Sequence, residues 1–307
     1  MPESSKGDYA FSSAQRLLMA LFKLTGRLPL KSARAVAYLV ARILLARDGR
    51  SVQVTKRNIS LCFPHLNRSE HKSLVAQSVR ETVLVGLELP LVWQQSEAWF
   101  ARHVWQREGA NLLQQAKQSG KGVLILAPHI GNWEIAGLTL AQAFADDYAC
   151  LYQPPKQQWF ESTMRKARGR FGGESLPTNR KGLVKLSRHI KEGGVTGVLP
   201  DQVPDVGSGK ISRFYQHNCQ TMTLAHSIIK RTHCEVLMMA AIRDEKGFGI
   251  VYRKPAPAIY SDSVDESLLA MNQAIEDLIS LAPAQYQWEY KRFKRAGLVP
   301  KPYADLP

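Results

Sequence analysis

From about Lys56 onward, short apolar runs alternate with stretches whose apolar residues recur at helical spacing. The apolar runs, which predict strands, are 122–127, 148–153, 195–199, 235–242 and 249–253. The predicted helices are 70–95, 109–118, 132–145, 157–171, 179–192, 220–232 and 263–281. Strands that alternate with helices form βαβ units around a parallel sheet. The sequence therefore predicts an α/β domain with a largely parallel sheet flanked by helices.

The N-terminal segment differs from the rest of the chain in its pattern of apolar and basic residues. Apolar residues fall at helical spacing within 12–24 and again within 35–46, but neither run reaches the roughly 18 unbroken apolar residues of a membrane span. Residues 1–50 hold nine Lys and Arg against three acidic residues. Cations beside apolar helices suit the surface of an anionic bilayer, although two helices packed on the core would show a similar pattern. We expect 1–55 to be a membrane-associated helical segment and 56–307 to be the main domain.

The overall charge points to anionic partners. The chain has 41 Lys+Arg and 26 Asp+Glu, a formal net charge of +15, which suits nucleic acid, an anionic membrane or an acidic protein. Aromatic residues make up only 8% and are not interleaved with the basic clusters as stacking on bases requires. We therefore expect no nucleic-acid partner.

The four cysteines are widely scattered and include no CxxC pair. This spacing favours neither a disulfide framework nor a zinc knuckle, and it is typical of a reducing, cytoplasmic-side location. The N-terminal sequence also lacks the charged, apolar and small-residue regions of a secretory signal peptide.

One strand-to-helix junction carries candidate catalytic residues. Pro128 cannot donate to a sheet ladder, so the strand should end there and leave His129 in a loop. Gly131 permits a tight turn, and Asn132 is a good N-cap that would place Glu134 in the first helical turn. A carboxylate near an imidazole can fix its tautomer and raise its basicity. The alternative is a solvated loop histidine beside a helix-dipole partner.

Other catalytic signatures do not appear. The sequence has no G-x-S-x-G elbow and no H-E-x-x-H, and the stretch 207–212 lacks the upstream glycine of a phosphate loop, so a polar surface turn is expected there. A catalytic metal needs about three protein ligands, and only two candidates cluster near His129. We expect no metal and no cofactor.

Several motifs resemble one known family. The hexapeptide 129–134, "HIGNWE", is similar to the H-x4-[D/E] signature of glycerolipid acyltransferases, and its Gly-Asn-Trp resembles the late acyltransferases of lipid A biosynthesis. Four further segments resemble elements of that family in order: "TKRNISLCFPHL" (55–66), "LYQPPKQQWFESTMRKARGRFGG" (151–173), "LPDQVPDVGSGKISRFY" (199–215) and "PAQYQWEYKRFK" (283–294). The segment around Gln216 departs from the family, which usually has a glycine there, so the local turn is in question.

The resemblance implies a glycerolipid-acyltransferase-like fold and transfer of a fatty acyl chain from acyl-carrier-protein thioester to a hydroxyl of a lipid A precursor. It implies the cytoplasmic face of a Gram-negative inner membrane as the location. His129 would be the general base and Glu134 the carboxylate that orients it. Alternatives are an acyltransferase of the same fold acting on another glycolipid or a lysophospholipid, and a non-catalytic basic membrane-binding protein.

The resemblance also implies substrate-binding roles for Arg168, Asp201, Gln202 and Asn132. Arg168 could bind a phosphate or support the catalytic carboxylate. Asp201 and Gln202 follow a predicted strand, where α/β sites are built, although a role in pinning the next loop is equally open. Backbone amides near Gly131 and Asn132 are candidates for an oxyanion site, and the basic stretch 291–295 is a candidate contact with carrier protein or lipid phosphate.

Overall fold

The structure is a computed structural model that describes residues 12–152 and 158–306. The first eleven residues of the predicted N-terminal segment and residues 153–157 of the Tyr-x-Pro segment lie outside this part. The helices are α1 (Ser13–Thr25), α2 (Leu30–Arg47), α3 (Arg50–Cys62), α4 (Arg68–Val92), α5 (Glu97–His103), α6 (Ala110–Gln118), α7 (Trp133–Phe144), α8 (Gln158–Arg168), α9 (Arg180–Lys191), α10 (Leu224–Thr232) and α11 (Val264–Leu281). Short 3-10 turns occur at Ala145–Asp147, Pro257–Tyr260 and Pro283–Gln285.

Seven strands form one sheet in the order β1-β9-β8-β2-β5-β3-β4. The strands of the chain are β1 (Val104–Glu108), β2 (Val123–Leu126), β3 (Tyr148–Tyr152), β4 (Glu174–Pro177), β5 (Val195–Val198), β6 (Gly209–Phe214), β7 (His217–Met222), β8 (Glu235–Arg243) and β9 (Phe248–Arg253). All neighbours in this sheet pair in parallel except β8 and β9, which form an antiparallel pair. The predicted α/β class with a largely parallel sheet is confirmed.

Helices cover both faces of the sheet. Successive residues of β2 point to opposite sides, so Leu124 and Leu126 join one core cluster while Val123 and Ile125 join the other. The first cluster contains side chains of α3, α9, α10 and α11, and the second contains those of α6, α7 and α8. Because β2 is buried on both faces, its sequence is a continuous apolar run.

Four strands of the structure were not predicted from the sequence. β1 and β4 are short edge strands with largely exposed side chains, and β6 and β7 form a separate antiparallel hairpin. The polar turn expected at 207–212 is wrong from Gly209, where β6 begins, and the helix expected at 220–232 begins only at Leu224 because β7 runs to Met222. The hairpin turn forms without glycine because Tyr215 takes a left-handed φ of 51°.

The N-terminal helices show an unusual distribution of side chains. The face of α2 that is buried carries only small residues, Ala33, Ala37 and Ala41. Large apolar side chains of both helices face outward, including Leu17 (61% exposed), Leu24 (62%) and Leu39 (61%). Within the described ranges, no helix has both the length and the apolar character needed to cross a bilayer.

Candidate active site

The loop after β2 carries the predicted catalytic histidine. β2 ends at Leu126, and His129 lies in the loop that leads to α7. Asn132 is the N-cap of α7, and its Oδ1 accepts a hydrogen bond from the Ile135 N–H at 3.2 Å. Glu134 stands in the first turn, as the sequence predicted. The local geometry of the junction is therefore confirmed.

Gly131 lies against the neighbouring strand β8. Its φ is +62°, and a Cβ at this position would come within 2.0 Å of the Ala241 carbonyl oxygen, so a side chain cannot be accommodated. The Gly131 N–H donates to the Gln285 carbonyl and the Asn132 N–H donates to the Ala241 carbonyl, both at 2.9 Å. The expectation that these amides form an oxyanion site is therefore wrong, because both are already bonded.

Asp201 holds the imidazole of His129. Asp201 Oδ1 lies 2.8 Å from His129 Nδ1, and Asp201 Oδ2 accepts the His129 backbone N–H at 3.0 Å. Burial raises the pKa of the Asp201 carboxyl, but the charge and hydrogen bonds of His129 outweigh it and hold that pKa below its ordinary value. An ionised Asp201 only accepts hydrogen bonds, so in the neutral imidazole the proton lies on Nδ1 and Nε2 keeps its lone pair.

The structure corrects the partner assigned to His129. Glu134, expected to orient the imidazole, instead accepts hydrogen bonds from Arg168 through Nε (3.1 Å) and Nη2 (2.5 Å) and from Trp93 Nε1 at 2.8 Å. The Nδ1 position is occupied by Asp201, for which the sequence suggested substrate contact or loop pinning. Burial lowers the pKa of Arg168, but the adjacent Glu134 carboxylate raises it above its usual value. Arg168 therefore supports Glu134, one of the two roles considered for it.

Gln202 lies beside the other imidazole nitrogen. Its Nε2 is 3.3 Å from His129 Nε2 and also donates to Gln287 Oε1 at 3.0 Å. An amide N–H donated to Nε2 is compatible with the tautomer that Asp201 imposes. Gln202 is thus next to the imidazole nitrogen that Asp201 does not contact.

A largely apolar cavity of about 200 Å³ opens beside these residues. His129, Glu134 and Arg168 contribute to its polar wall. Its other wall residues are mainly leucines and glycines from α7, β3, β5 and the turn before β4: Leu138, Leu140, Leu151, Leu199, Gly137, Gly172, Gly173 and Gly197. Such a cavity can take an unbranched apolar group whose reactive end meets the imidazole.

A buried ion-pair network, which the sequence did not predict, contacts the loop that carries His129. Glu88 on α4 accepts from Arg243 Nη2 at 2.7 Å and from Asn132 Nδ2 at 3.0 Å, and Arg243 Nη1 reaches Glu81 at 2.6 Å. Asn132 thus serves the loop structure, whereas the sequence suggested substrate contact. Two features of the sequence could have indicated this network: a glutamate inside an apolar stretch of α4, and an arginine at the end of the apolar strand β8.

The C-terminal motif also secures the loop. The Gln287 N–H donates to the His129 carbonyl at 3.1 Å, and Ile130 forms an antiparallel bridge with Tyr286. Asn58 Nδ2, from the first motif, donates to the carbonyls of Trp288 at 2.7 Å and Tyr290 at 2.8 Å. Motifs far apart in the sequence therefore meet at the loop that carries His129.

Comparison with known proteins places these motifs in one family. Residues 7–295 match the model of bacterial lipid A biosynthesis acyltransferases. The chain is 24% identical over 252 residues to the lipid A biosynthesis palmitoleoyltransferase of Escherichia coli (strain K12), covering 80% of this chain and 79% of that protein. It is 23% identical over 264 residues to the lauroyltransferase of the same strain, covering 83% of each, and 22% identical over 242 residues to its myristoyltransferase, covering 77% and 73%. Because the family model spans most of its length, this chain belongs to the bacterial lipid A biosynthesis acyltransferases and is an enzyme.

Proposed function

We propose that this enzyme transfers a fatty acyl chain from an acyl-carrier-protein thioester to a hydroxyl of a lipid A precursor at the cytoplasmic face of the inner membrane. The observation that carries the proposal is the His129–Asp201 pair, whose histidine lines a largely apolar cavity. Family membership supports acyl transfer in lipid A biosynthesis. A thioester is already an activated acyl donor, so a base that makes the acceptor alcohol more nucleophilic is sufficient for acyl transfer.

In the proposed mechanism, His129 Nε2 removes the proton of the acceptor hydroxyl as its oxygen attacks the thioester carbonyl carbon. The hydroxyl must first displace the Gln202 amide, which lies 3.3 Å from Nε2. The tetrahedral intermediate collapses by breaking the carbon–sulfur bond, and the leaving thiolate takes the proton back from the imidazolium. Asp201 keeps Nδ1 protonated throughout and stabilises the imidazolium.

Glu134 and Arg168 have supporting roles in this proposal. Glu134 lines the cavity that His129 also lines, and its negative charge favours the imidazolium formed during transfer. Arg168 is about 38% exposed, so one side of its guanidinium faces outward while the other holds Glu134. We propose that this outward side binds a phosphate of the acceptor.

The cavity should determine the acyl chain that is transferred. A Cβ at Gly137, which lines the cavity, meets no heavy atom within 4 Å. Gly137→Leu should therefore fill cavity space without distorting α7 and should favour shorter donors. Displacing two methylenes at about 0.8 kcal/mol each changes the ratio of kcat/KM between long and short donors roughly tenfold.

The ratio of kcat/KM is measured with acyl-carrier proteins that carry acyl groups of graded length. The matched control is Gly86→Leu, because Gly86 is also a helical glycine with open space around it and lies on the surface of α4. Unchanged chain preference in Gly137→Leu would place the acyl chain elsewhere.

We also propose that α1 and α2 bind the membrane through their exposed apolar side chains. Leu17 and Leu21 lie one turn apart and are both exposed, and basic residues flank them. Leu17→Ser/Leu21→Ser should weaken partition into anionic vesicles by at least about 100-fold, since burying each leucine contributes about 1.5 kcal/mol or more. The control Val206→Ser/Val299→Ser removes apolar side chains elsewhere that are even more exposed. Equal sedimentation of both variants with vesicles would refute this role.

The acceptor is tested by mass spectrometry of the products. Purified enzyme, acylated carrier protein and a lipid A precursor should give a product heavier by one acyl group, whereas a lysophospholipid acceptor should remain largely unmodified. Acylation of the lysophospholipid alone would favour the rival acyltransferase function. Vesicle binding without acylation of either acceptor would favour a non-catalytic membrane-binding protein.

A further inference from the structure

Helix α9 (Arg180–Lys191) has a strongly basic outer face. It contains no acidic residue. Gly182, Leu186 and Ile190 form its buried side. Its outer side forms a shallow groove lined by Arg180, Lys181, Val184, Lys185 and Arg188. Val184 is 53% exposed at the centre of these cations, so the face combines an apolar centre with a charged rim, as protein interfaces do.

The position of α9 connects this face to the proposed reaction. Asn179, its N-cap, follows directly after β4, and Ser175 of β4 lines the cavity. The carboxyl ends of β2, β5 and β4 lie at one edge of the parallel sheet, so α9 begins at the edge where His129 and Asp201 lie. A partner seated on α9 would be next to the cavity.

The cations of the other basic stretch, 291–295, contact other parts of the chain, although Lys294 and Arg295 are exposed. Arg292 is only 2% exposed and donates to the Gln220 carbonyl. Lys291 and Lys294 lie over the rings of Tyr303 and Tyr290. In contrast, among the described residues Lys181 and Arg188 form no ion pair. Lys181 and Arg188 are therefore more available to a partner than the cations of 291–295, whereas Lys185 pairs with Glu174.

A protein partner fits α9 better than a bilayer does. The large exposed apolar side chains that suit lipid are concentrated on α1 and α2, whereas α9 packs against α10, β3, β4 and β5. The face of α9 exposes one valine among its cations, which gives little apolar area to insert into lipid. Complementary charge would instead steer an acidic protein to this surface.

We propose that the outer face of α9 is the docking surface for an acidic acyl-carrier protein, which from there presents its thioester arm to the cavity. This inference rests on the donor class in the proposed function. Docking on α9 leaves the α1–α2 surface available for the membrane that supplies the acceptor. The carrier protein and the membrane would then bind to different helices of the enzyme.

The test compares two charge reversals with equal changes in net charge. Lys181→Glu/Arg188→Glu alters the α9 face, and Arg68→Glu/Lys72→Glu alters exposed helical cations of α4, which is not in the described contacts of α9. Binding of fluorescently labelled acyl-carrier protein is measured by anisotropy, which does not require turnover. The α9 variant should raise Kd at least about tenfold, corresponding to 1.4 kcal/mol, and the α4 variant should change it less than about twofold.

Kinetics separate docking from chemistry. With an acylated carrier protein as donor, the α9 variant should show a raised KM and an unchanged kcat. With acyl-pantetheine, which has the same arm but no protein and no charge, it should match the wild type. Equal carrier-protein binding by both variants, no binding by the wild type, or a loss confined to anionic vesicles would overturn the proposal. Carrier-protein binding that depends on α9, in an enzyme that acylates no lipid A precursor, would retain docking and refute the proposed function.

Discussion

His129→Ala is expected to reduce kcat by about two to four orders of magnitude, the range that a positioned general base contributes. The variant should fold, because alanine leaves the backbone contacts of the loop in place: the position-129 N–H still donates to Asp201 and its carbonyl still accepts from Gln287. Transfer to a lipid A precursor is measured under single-turnover conditions, with circular dichroism and vesicle sedimentation as controls. Activity close to that of the wild type would remove His129 from the mechanism.

Asp201→Asn isolates the orienting role in the same pair. The asparagine amide can donate as well as accept, so it no longer forces the proton onto Nδ1. We expect kcat to fall by at least about 100-fold with little change in KM for either substrate. The nitrogen chemical shifts of labelled histidine should show the Nδ1–H tautomer of His129 in the wild type. A wild-type tautomer and rate in this variant would mean that another group orients the ring.

Arg243→Met is expected to be the most destabilising single change in the supporting network. Arg243 is buried between Glu88 and Glu81, and removing one partner of a buried pair leaves an uncompensated charge that costs about 3–5 kcal/mol. Denaturant titration measures the loss in the free energy of unfolding. Asn132 shares Glu88 with Arg243, so the loop and the activity should be disturbed as well.

Two further variants show whether the loss comes from the unpaired charge. Arg253→Met breaks the Arg253–Glu108 pair, which is about one-third to one-half exposed, and should cost no more than about 1 kcal/mol. Combining Glu88→Leu with Arg243→Met removes the unpaired carboxylate beside Asn132 and should recover part of the stability. Equal losses for Arg243→Met and Arg253→Met would show that burial does not control this network.

The sequence predicts the central strands of the sheet because these strands are buried on both faces. β2 and β8 read as continuous apolar runs, and apolar burial is the strongest sequence signal. Strand β4 was missed because it has only four residues, of which all but Leu176 are exposed, and it is defined only by pairing with β3. Pairing at a sheet edge depends on tertiary contacts that a local pattern does not contain.

The sequence predicted the positions of the candidate site residues but not which side chains contact each other. Pro128, Gly131 and Asn132 define a local turn, so His129 and Glu134 were placed correctly. Which carboxylate reaches Nδ1 depends on β5 lying beside β2, which brings Asp201 across from a distant part of the chain. Proximity in sequence favoured Glu134, whereas the packing of parallel strands favours Asp201.

We propose that the acyl chain lies in the cavity between α7 and the strands β3 and β5, with its carbonyl carbon beside His129. A crystal structure of the enzyme with a non-hydrolysable acyl-pantetheine analogue tests this directly. The chain should contact Gly137 and Leu151, and the carbonyl should lie next to the Nε2 side of His129. A chain bound along α1 and α2, with the cavity empty and the carbonyl away from His129, would contradict this placement of the donor.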